Sequence, residues 1–139
     1  MDASTPIGLP ISIETAKKAG AAALAEARKN NWTMAAAVVD THGTLVYYEK
    51  MDNTQLGSAD VCIDKARSAA LFKRPTKALQ EIIAGGGAGL RVFALRGAVP
   101  VDGGVPLEKD GSFIGAIGIS GGQSDQDGQC AMAGANAIK

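Results

Sequence analysis

The densest basic stretch of the chain lies in a segment with helical spacing and in the break that follows it. Lys65 is flanked by residues of an apolar helix face, and Arg74 and Thr76 lie at the break before the next helix. Ammonium and guanidinium groups bind carboxylates through charge-assisted hydrogen bonds. We therefore expect Lys65, Arg74 and Thr76 to contact an anionic group of a ligand, such as a carboxylate or a propionate. A solvated helix face is the alternative explanation of the same charges.

A second arrangement suited to an anion is predicted at Ser120, Gly121 and Gly122. These residues stand between a predicted strand and the N-terminus of a predicted helix, where free backbone amides and the helix dipole favour a bound carboxylate or phosphate. The Ser120 hydroxyl adds a further polar group. Asp125 and Asp127 already place negative charge in the first turn of that helix. A tight turn without a ligand is therefore an equal alternative.

Few residues of the chain are suited to bind a metal or to carry a proton. His42 is the only histidine, so a site with two histidine ligands is excluded, and no set of metal ligands can be assigned. Met51 offers a thioether to a haem iron, although methionine is more often a core residue. Asp52 and Asp40 are the candidate proton acceptors of an enzyme in which Lys65 is the base or the electrophile.

The composition describes a single globular domain. The chain has 139 residues, of which 46% are hydrophobic and 20% charged, and this predicts one domain over residues 1–139 with a flexible lead over residues 1–11. Fourteen basic and fourteen acidic residues give zero formal net charge, which argues against a nucleic-acid partner. Zero net charge and an aromatic content of only 4% predict a homo-oligomer, because charge repulsion is absent and the core is built from small residues.

The cysteines and the first residues of the chain predict a cytoplasmic location. Cys62 and Cys130 lie far apart in apolar stretches and form no CxxC pair, which is typical of buried free thiols. The first residues lack the basic and the long apolar regions of a signal peptide. No apolar run is long enough to span a bilayer, so no membrane partner is expected.

Hydrophobic periodicity and turn residues predict the elements that must position these side chains. Their order, α-β-β-α-α-β-β-α, indicates an α/β fold of the α+β type, with an antiparallel sheet flanked by helices. The predicted helices are Ile13–Arg28, Ser58–Phe72, Pro75–Ile83 and Ser124–Ile138. The predicted strands are Trp32–Val39, Thr44–Tyr48, Leu90–Leu95 and Phe113–Ile119. The last two strands are separated by a predicted loop that contains Pro100, Gly103, Gly104 and Pro106.

Two long runs carry several motifs in order. The run VVDTHGTLVYYEKMDNTQLGSADVCIDKARSAALFKRPTKAL contains a V-V-D-x-x-G-x-L turn, a Met-Asp pair, K-A-R-S-A and F-x-x-P-T. The run GGVPLEKDGSFIGAIGISGGQSDQDGQCAMAGANAI contains G-G-x-P-L, G-A-I-G-I-S-G and a D-x-x-x-A helix. Together these motifs resemble those of the GlcG/HbpS-like family, also called the haem-degrading domain family. The resemblance covers nearly the whole chain from Ser12 onward.

The resemblance implies a profilin-like domain that assembles into higher oligomers and binds haem or a related tetrapyrrole. The implied pocket lies between the Lys65 helix, the Phe72–Thr76 break and the Ser120–Gly122 turn. In that pocket Lys65 and Arg74 would pair with propionates, and Met51 or a backbone group would approach the metal.

Two further functions fit the same residues. The first is a catabolic enzyme without a metal, an isomerase, decarboxylase or hydrolase of a small carboxylated intermediate, with Lys65, Asp40 or Asp52 and the Gly121 amides in its site. The second is an assembly or sensory accessory without a ligand. An apolar slit would indicate a tetrapyrrole, a narrow polar cavity containing Lys65 would indicate the enzyme, and a filled core near Lys65 would indicate the accessory.

Overall fold

The computed structural model of the chain describes residues 1–139 and has four α-helices and four strands. The helices are α1 (Ile13–Lys29), α2 (Ser58–Phe72), α3 (Thr76–Ala84) and α4 (Ser124–Asn136). The strands are β1 (Ala35–Val39), β2 (Leu45–Lys50), β3 (Gly104–Lys109) and β4 (Ser112–Ser120), and a 3-10 helix (Gly87–Ala94) follows α3. None of the helices combines the length and the apolarity needed to cross a membrane. The predicted α+β class and the order of helices and strands are confirmed.

The four strands form one antiparallel sheet in the order β2-β1-β4-β3. The two central strands, β1 and β4, place Ala35 opposite Ser120 and Val39 opposite Ala116. Helices α1 and α4 pack on one face of the sheet, and α2 packs on the other. The sheet is therefore the middle of three layers, as predicted for a sheet flanked by helices.

Small residues bring the backbones of these layers close together. All five residues of β1, Ala-Ala-Ala-Val-Val, are buried, which is typical of a central strand covered on both faces. A Cβ added to Gly118 on β4 would lie 2.0 Å from the carbonyl oxygen of Cys62 on α2. A Cβ added to Gly134 on α4 would lie 2.8 Å from the carbonyl oxygen of Ala19 on α1. Close backbone contacts therefore replace the large side chains that this core lacks.

One predicted strand is wrong. The segment Leu90–Leu95 lies mostly in the 3-10 helix on the surface, where Val92 is its only buried side chain. The third strand is instead β3, which includes Gly104 and Pro106 of the predicted loop. Proline is tolerated there because β3 is an edge strand, whose outer side has no partner in the sheet.

Residues 6–11 of the lead lie alongside β4. The Phe113 amide donates to the Pro6 carbonyl oxygen at 2.8 Å, and the Gly8 amide donates to the Phe113 carbonyl oxygen at 2.9 Å. Further along, the Ile11 amide donates to the Ile114 carbonyl oxygen at 2.9 Å. These hydrogen bonds attach residues 6–11 to the backbone of β4, and the flexibility of the lead over residues 1–11 stays a prediction.

Candidate functional site

Lys65 lies inside the protein, at the end of the sheet where β4 ends and β3 begins. Its ammonium group donates to Asp127 Oδ2 at 2.9 Å and to the Ile119 carbonyl oxygen at 3.1 Å. The side chains of Lys65 and Asp127 are only 2% and 3% exposed. Because α2 and α4 pack on opposite faces of the sheet, this ion pair joins the two helical layers around the end of the sheet. We call it the Lys65–Asp127 pair.

Two glycines before and at the start of β3 make room for Lys65. Gly103 has φ +132°, a conformation that favours glycine, and a Cβ there would lie 2.8 Å from Lys65 Nζ. A Cβ on Gly104 would lie 2.4 Å from the Lys65 carbonyl oxygen. These glycines therefore allow α2 and its lysine to approach the edge of the sheet.

In the turn after β4, a backbone amide donates a hydrogen bond to a carboxylate of the protein itself. The Gly122 amide donates to Asp127 Oδ1 at 2.9 Å. Gly121 has φ +150°, and a Cβ there would lie 2.4 Å from the Thr33 carbonyl oxygen. Burial raises the pKa of Asp127, while the hydrogen bond and the charge of Lys65 oppose that rise. The turn therefore closes on Asp127, and the Gly122 amide has its acceptor within the protein.

Thr76 and Ser120 lie at the same end of the sheet, and both are buried. Thr76 Oγ1 accepts a hydrogen bond from the Gly104 amide at 2.9 Å. Ser120 Oγ donates to Ser58 Oγ at 3.2 Å. The structure thus brings Lys65, Thr76 and the Ser120–Gly122 turn together. Their polar atoms bind one another or neighbouring parts of the fold, and Lys65 lines no cavity.

Three other predicted site residues lie apart from this cluster. Met51 and Asp52 follow β2, which is at the opposite edge of the sheet from β3. Met51 is half-buried against the core between the sheet and α1, whereas Asp52 is exposed. Arg74 is also exposed, and its Nε donates to the Phe72 carbonyl oxygen at 3.2 Å. The structure therefore does not bring Met51 and Asp52 to Lys65.

Asp40 shapes the turn between β1 and β2. Its Oδ1 accepts hydrogen bonds from the amides of His42 and Thr44 at 2.8 Å and 3.0 Å. Asp40 follows the end of β1 that pairs with the middle of β4, whereas Lys65 bonds to the last residues of β4. The two are therefore at opposite ends of β1, and no acid–base pair forms between them. His42 is exposed in the same turn, and no cluster of three or more His, Cys, Asp or Glu side chains is placed to hold a metal ion.

An open groove lies beside the Lys65–Asp127 pair, between the start of α3, β3 and α4. Its main part has a volume of about 330 Å³, and an adjoining part has about 140 Å³. Both parts are lined by Pro75, Val105 and Met132. The main part is completed by Lys77, Asp102, Asp125, Gly128 and Gln129, and the adjoining part by Met1, Pro106, Glu108, Ala135 and Lys139. This β3–α4 groove therefore has shared apolar residues in its middle and charged residues on either side.

Asp102 is a mostly buried residue whose carboxyl group faces the β3–α4 groove. The residue is 9% exposed and forms no ion pair. Gly128 gives the carboxyl group its space, because a Cβ there would lie 2.5 Å from each carboxyl oxygen. The Asp102 backbone amide donates to Gln80 Oε1 at 2.8 Å, which fixes this residue against α3. Burial raises the pKa of Asp102, while the Gly103 amide and the charge of Lys77 oppose the rise.

A larger depression, of about 480 Å³, lies where the lead meets the turn between β3 and β4. Its charged residues, Lys109 and Asp110, are exposed, and Ser12 in its wall already accepts the Thr15 amide as the cap of α1. No buried polar side chain faces it. The β3–α4 groove, which is lined by the mostly buried Asp102, is therefore the better candidate site.

The residues that define this groove were missed by reasoning from the sequence. Lys77 belongs to the basic stretch but is not among the predicted ligand contacts. Met132 lies in a predicted helix whose exposed side the sequence does not specify. Asp102 fell in the predicted loop. A signal was present there, because Asp102 is the only charged residue between Arg96 and Glu108 and directly precedes two glycines.

Comparison with known proteins agrees with this fold. Residues 11–136 match the family described as "Haem degrading protein HbpS-like". The chain belongs to the HbpS-like family. Among its HbpS-like relatives, protein GlcG of Escherichia coli is 39% identical over 100 residues, which are 72% of this chain and 73% of GlcG.

Two crystal structures share the HbpS-like fold of this chain. The structure of a PduOC–haem complex matches with a TM-score of 0.83 and 29% identity, over 94% of this chain and 96% of that one. A double mutant of Streptomyces reticuli HbpS matches with a TM-score of 0.86 and 27% identity, over 100% of this chain and 94% of that one. Two of the family motifs, K-A-R-S-A and the D-x-x-x-A helix, supply the two members of the Lys65–Asp127 pair.

Proposed function

We propose that this chain binds haem or a related tetrapyrrole in the β3–α4 groove. The observation that carries the proposal is the lining of the groove, in which Pro75, Val105 and Met132 lie between Lys77 on one side and Lys139 on the other. A flat ligand with anionic arms requires an apolar wall and cations near its rim. The main part of the groove, about 330 Å³, lies within the range of about 300–1,000 Å³ that is usual for ligand pockets.

The side chains of the groove fit an iron tetrapyrrole. Met132 presents a thioether that is accessible from the groove, and methionine is an axial ligand of haem iron in some haem proteins. A bound haem would supply a redox-active iron, whose properties its axial ligand and surroundings tune. In this proposal Met132 takes the place that the sequence suggested for Met51. Lys77 takes the place suggested for Lys65.

Similarity to known proteins supports the same ligand class. The family is described as haem-degrading, and the PduOC structure that matches this chain is a haem complex. The expected cytoplasmic location is part of the proposal, because Cys62 and Cys130 are free thiols, as expected in a reducing compartment.

Hemin titration of the purified protein tests this proposal. We expect saturable binding with a shifted Soret band, and we expect Met132→Leu to weaken binding about tenfold, equivalent to about 1.4 kcal/mol. Leucine keeps the apolar volume and removes only the sulfur, so the loss reports on iron ligation. In the ferric complex of the unchanged protein, the near-infrared band of an iron–thioether bond should be present, and it should be missing in the variant.

Met51→Leu is the matched control, because it removes a thioether outside the groove. We expect this variant to bind hemin like the unchanged protein. Absence of saturable hemin binding would overturn the proposed function. A spectrum that responds to Met51→Leu and not to Met132→Leu would place the iron outside the groove.

We also propose that the chain forms a homo-oligomer through the apolar side chains of α3 and of the segment after it. Ile82, Leu90, Phe93 and Leu95 form this Phe93 face, and all four are exposed. Phe93 is 68% exposed, although the 3-10 helix contributes only Val92 to the interior. Large exposed apolar patches mark interaction surfaces, and a second copy of this chain is the occupant we propose for these four side chains.

Phe93→Asp is expected to lower the oligomeric state, because a charge cannot be buried in an apolar interface without a partner. Light scattering coupled to size-exclusion chromatography measures this change. Leu56→Asp is the control, since Leu56 is an exposed leucine on the segment between β2 and α2. A Phe93→Asp protein with an unchanged mass would exclude this face as the interface.

A further inference from the structure

Asp102 is a carboxyl group that faces the β3–α4 groove without a side-chain partner. Its residue is more than nine-tenths buried, and no side chain donates a hydrogen bond to it. By contrast, the buried carboxylate of Asp127 is satisfied by Lys65 and by the Gly122 amide. No buried side-chain oxygen of the chain lacks a hydrogen-bond partner, so the carboxyl oxygens of Asp102 are accessible from the groove. Beside the Gly103 amide they offer acceptor positions that a ligand with hydrogen-bond donors can fill.

The charges around Asp102 come from three helices. Lys77 approaches from α3, Lys65 from α2, and Asp125 and Asp127 from α4. Lys65 is already paired with Asp127, and Lys77 is exposed to solvent. The surroundings of Asp102 therefore contain no buried cation that is free to neutralise it.

A ligand that suits this carboxylate must present hydrogen-bond donors from within an apolar body. In haem the four ring nitrogens are bound to iron and carry no hydrogen. A linear tetrapyrrole has unmetallated nitrogens, and several N–H groups on one side of its curved chain can donate to a single acceptor. Its propionates are the same as those of haem, so Lys77 and Lys139 serve both ligands equally. Asp102 is thus the groove residue whose contacts differ most between haem and a linear tetrapyrrole.

We infer that Asp102 accepts hydrogen bonds from the pyrrole N–H groups of a linear tetrapyrrole and so makes the groove selective for that open-chain, metal-free subclass. This inference rests on the proposed tetrapyrrole function and names the ligand within it. Hydrogen bonds to a charged acceptor are stronger than those between neutral groups. The binding of the linear ligand therefore depends on the ionised form of Asp102.

The experiment compares biliverdin, as the linear probe, with hemin on the same protein preparations. We expect the unchanged protein to bind biliverdin, and Asp102→Asn to weaken that binding tenfold or more, as the loss of a charged hydrogen-bond acceptor implies. Hemin affinity should change less than about threefold in the same variant, since hemin offers no N–H donor. Asp60→Asn is the control, because it removes an exposed carboxylate of α2 that does not line the groove.

The pH dependence of biliverdin binding gives a second readout. Because burial raises the pKa of Asp102, affinity should increase as the pH rises through that elevated pKa. Titrations between about pH 4 and pH 8 cover the range of raised carboxyl pKa values. The Asp102→Asn protein shows the pH dependence that belongs to the ligand and to the other groups. The difference between the pH profiles of the unchanged protein and of Asp102→Asn is the increase in affinity that we attribute to ionisation of Asp102.

The outcomes separate the two proposals. If neither ligand binds, both the proposed function and this inference fall. If hemin binds and biliverdin does not, or if Asp102→Asn weakens both ligands equally, the tetrapyrrole function stands and the role of Asp102 is overturned. A comparable loss in Asp60→Asn would also overturn it, because the effect would then come from the net charge of the protein and not from a contact in the groove. Circular dichroism and thermal melting of each variant verify that the fold is retained.

Discussion

Replacing Lys65 with methionine is expected to lower the free energy of unfolding by about 3–5 kcal/mol, because Asp127 then keeps a buried charge without its partner. Methionine has a similar length and no charge, so it fills the space without forming the ion pair. The Ile119 carbonyl oxygen also loses a hydrogen bond from the ammonium group. Urea unfolding followed by circular dichroism near neutral pH measures the change.

Lys77→Met is the matched control for this experiment. Lys77 is an exposed lysine on α3, and its replacement should change stability by no more than about 0.5 kcal/mol. Adding Asp127→Asn to Lys65→Met removes the unpaired charge, so the double variant should recover part of the loss. If Lys65→Met lowers the free energy of unfolding by less than about 1 kcal/mol, the Lys65–Asp127 pair does not hold the two helical layers together.

Replacing Gly118 with alanine is expected to cost about 3 kcal/mol or more, at the upper end of what overpacking costs. The added Cβ would lie 2.0 Å from the Cys62 carbonyl oxygen and 2.5 Å from the Ala66 amide nitrogen. Both are backbone atoms of α2, so the clash cannot be relieved by a side-chain rotation. The whole helix must move away from the sheet. Thermal unfolding by calorimetry measures the loss.

Gly57→Ala is the companion to this substitution. A Cβ on Gly57 meets nothing within 4 Å, and its φ of −62° suits any L-residue. Alanine there should leave stability unchanged or raise it by up to about 1 kcal/mol, because it restricts the unfolded chain. Equal melting temperatures for the Gly57→Ala and Gly118→Ala proteins would contradict the close packing of α2 on β4.

The sequence predicted the order of elements well because local patterns determine most of them. Ser12 before the alanine-rich α1, the hairpin turn at Asp40, and the glycine pair after β4 each have a local cause that the structure reproduces. The exception is the third strand, which the pattern predicts at Leu90–Leu95 and which is formed instead by β3. An apolar run of that length is equally compatible with a strand and with a surface helix whose face another molecule covers. A proline in a strand is tolerated only at an edge, which the sequence does not reveal.

The candidate site was harder to predict because it depends on contacts between distant parts of the chain. A lysine within an apolar helix face was visible in the sequence, and we expected a ligand to pair with it. The structure shows that Asp127, 62 residues later, is its partner. No periodicity or spacing links the two residues. What makes Asp102 a candidate ligand contact is its burial and the space beside Gly128, and both depend on the folded structure.

The arrangement of the sheet and the Lys65–Asp127 pair also constrain how the protein is synthesised and folded. The central strand β1 has β4 as its neighbour, and Ala35 pairs with Ser120. A nascent chain that ends before β4 therefore lacks half of the sheet around β1, and the charge of Lys65 has no partner until α4 has left the ribosome. Such long-range pairing slows folding. Ribosome-bound chains that stop before Ser112 should consequently remain sensitive to protease, whereas chains that carry a C-terminal linker long enough to place α4 outside the ribosome should become resistant.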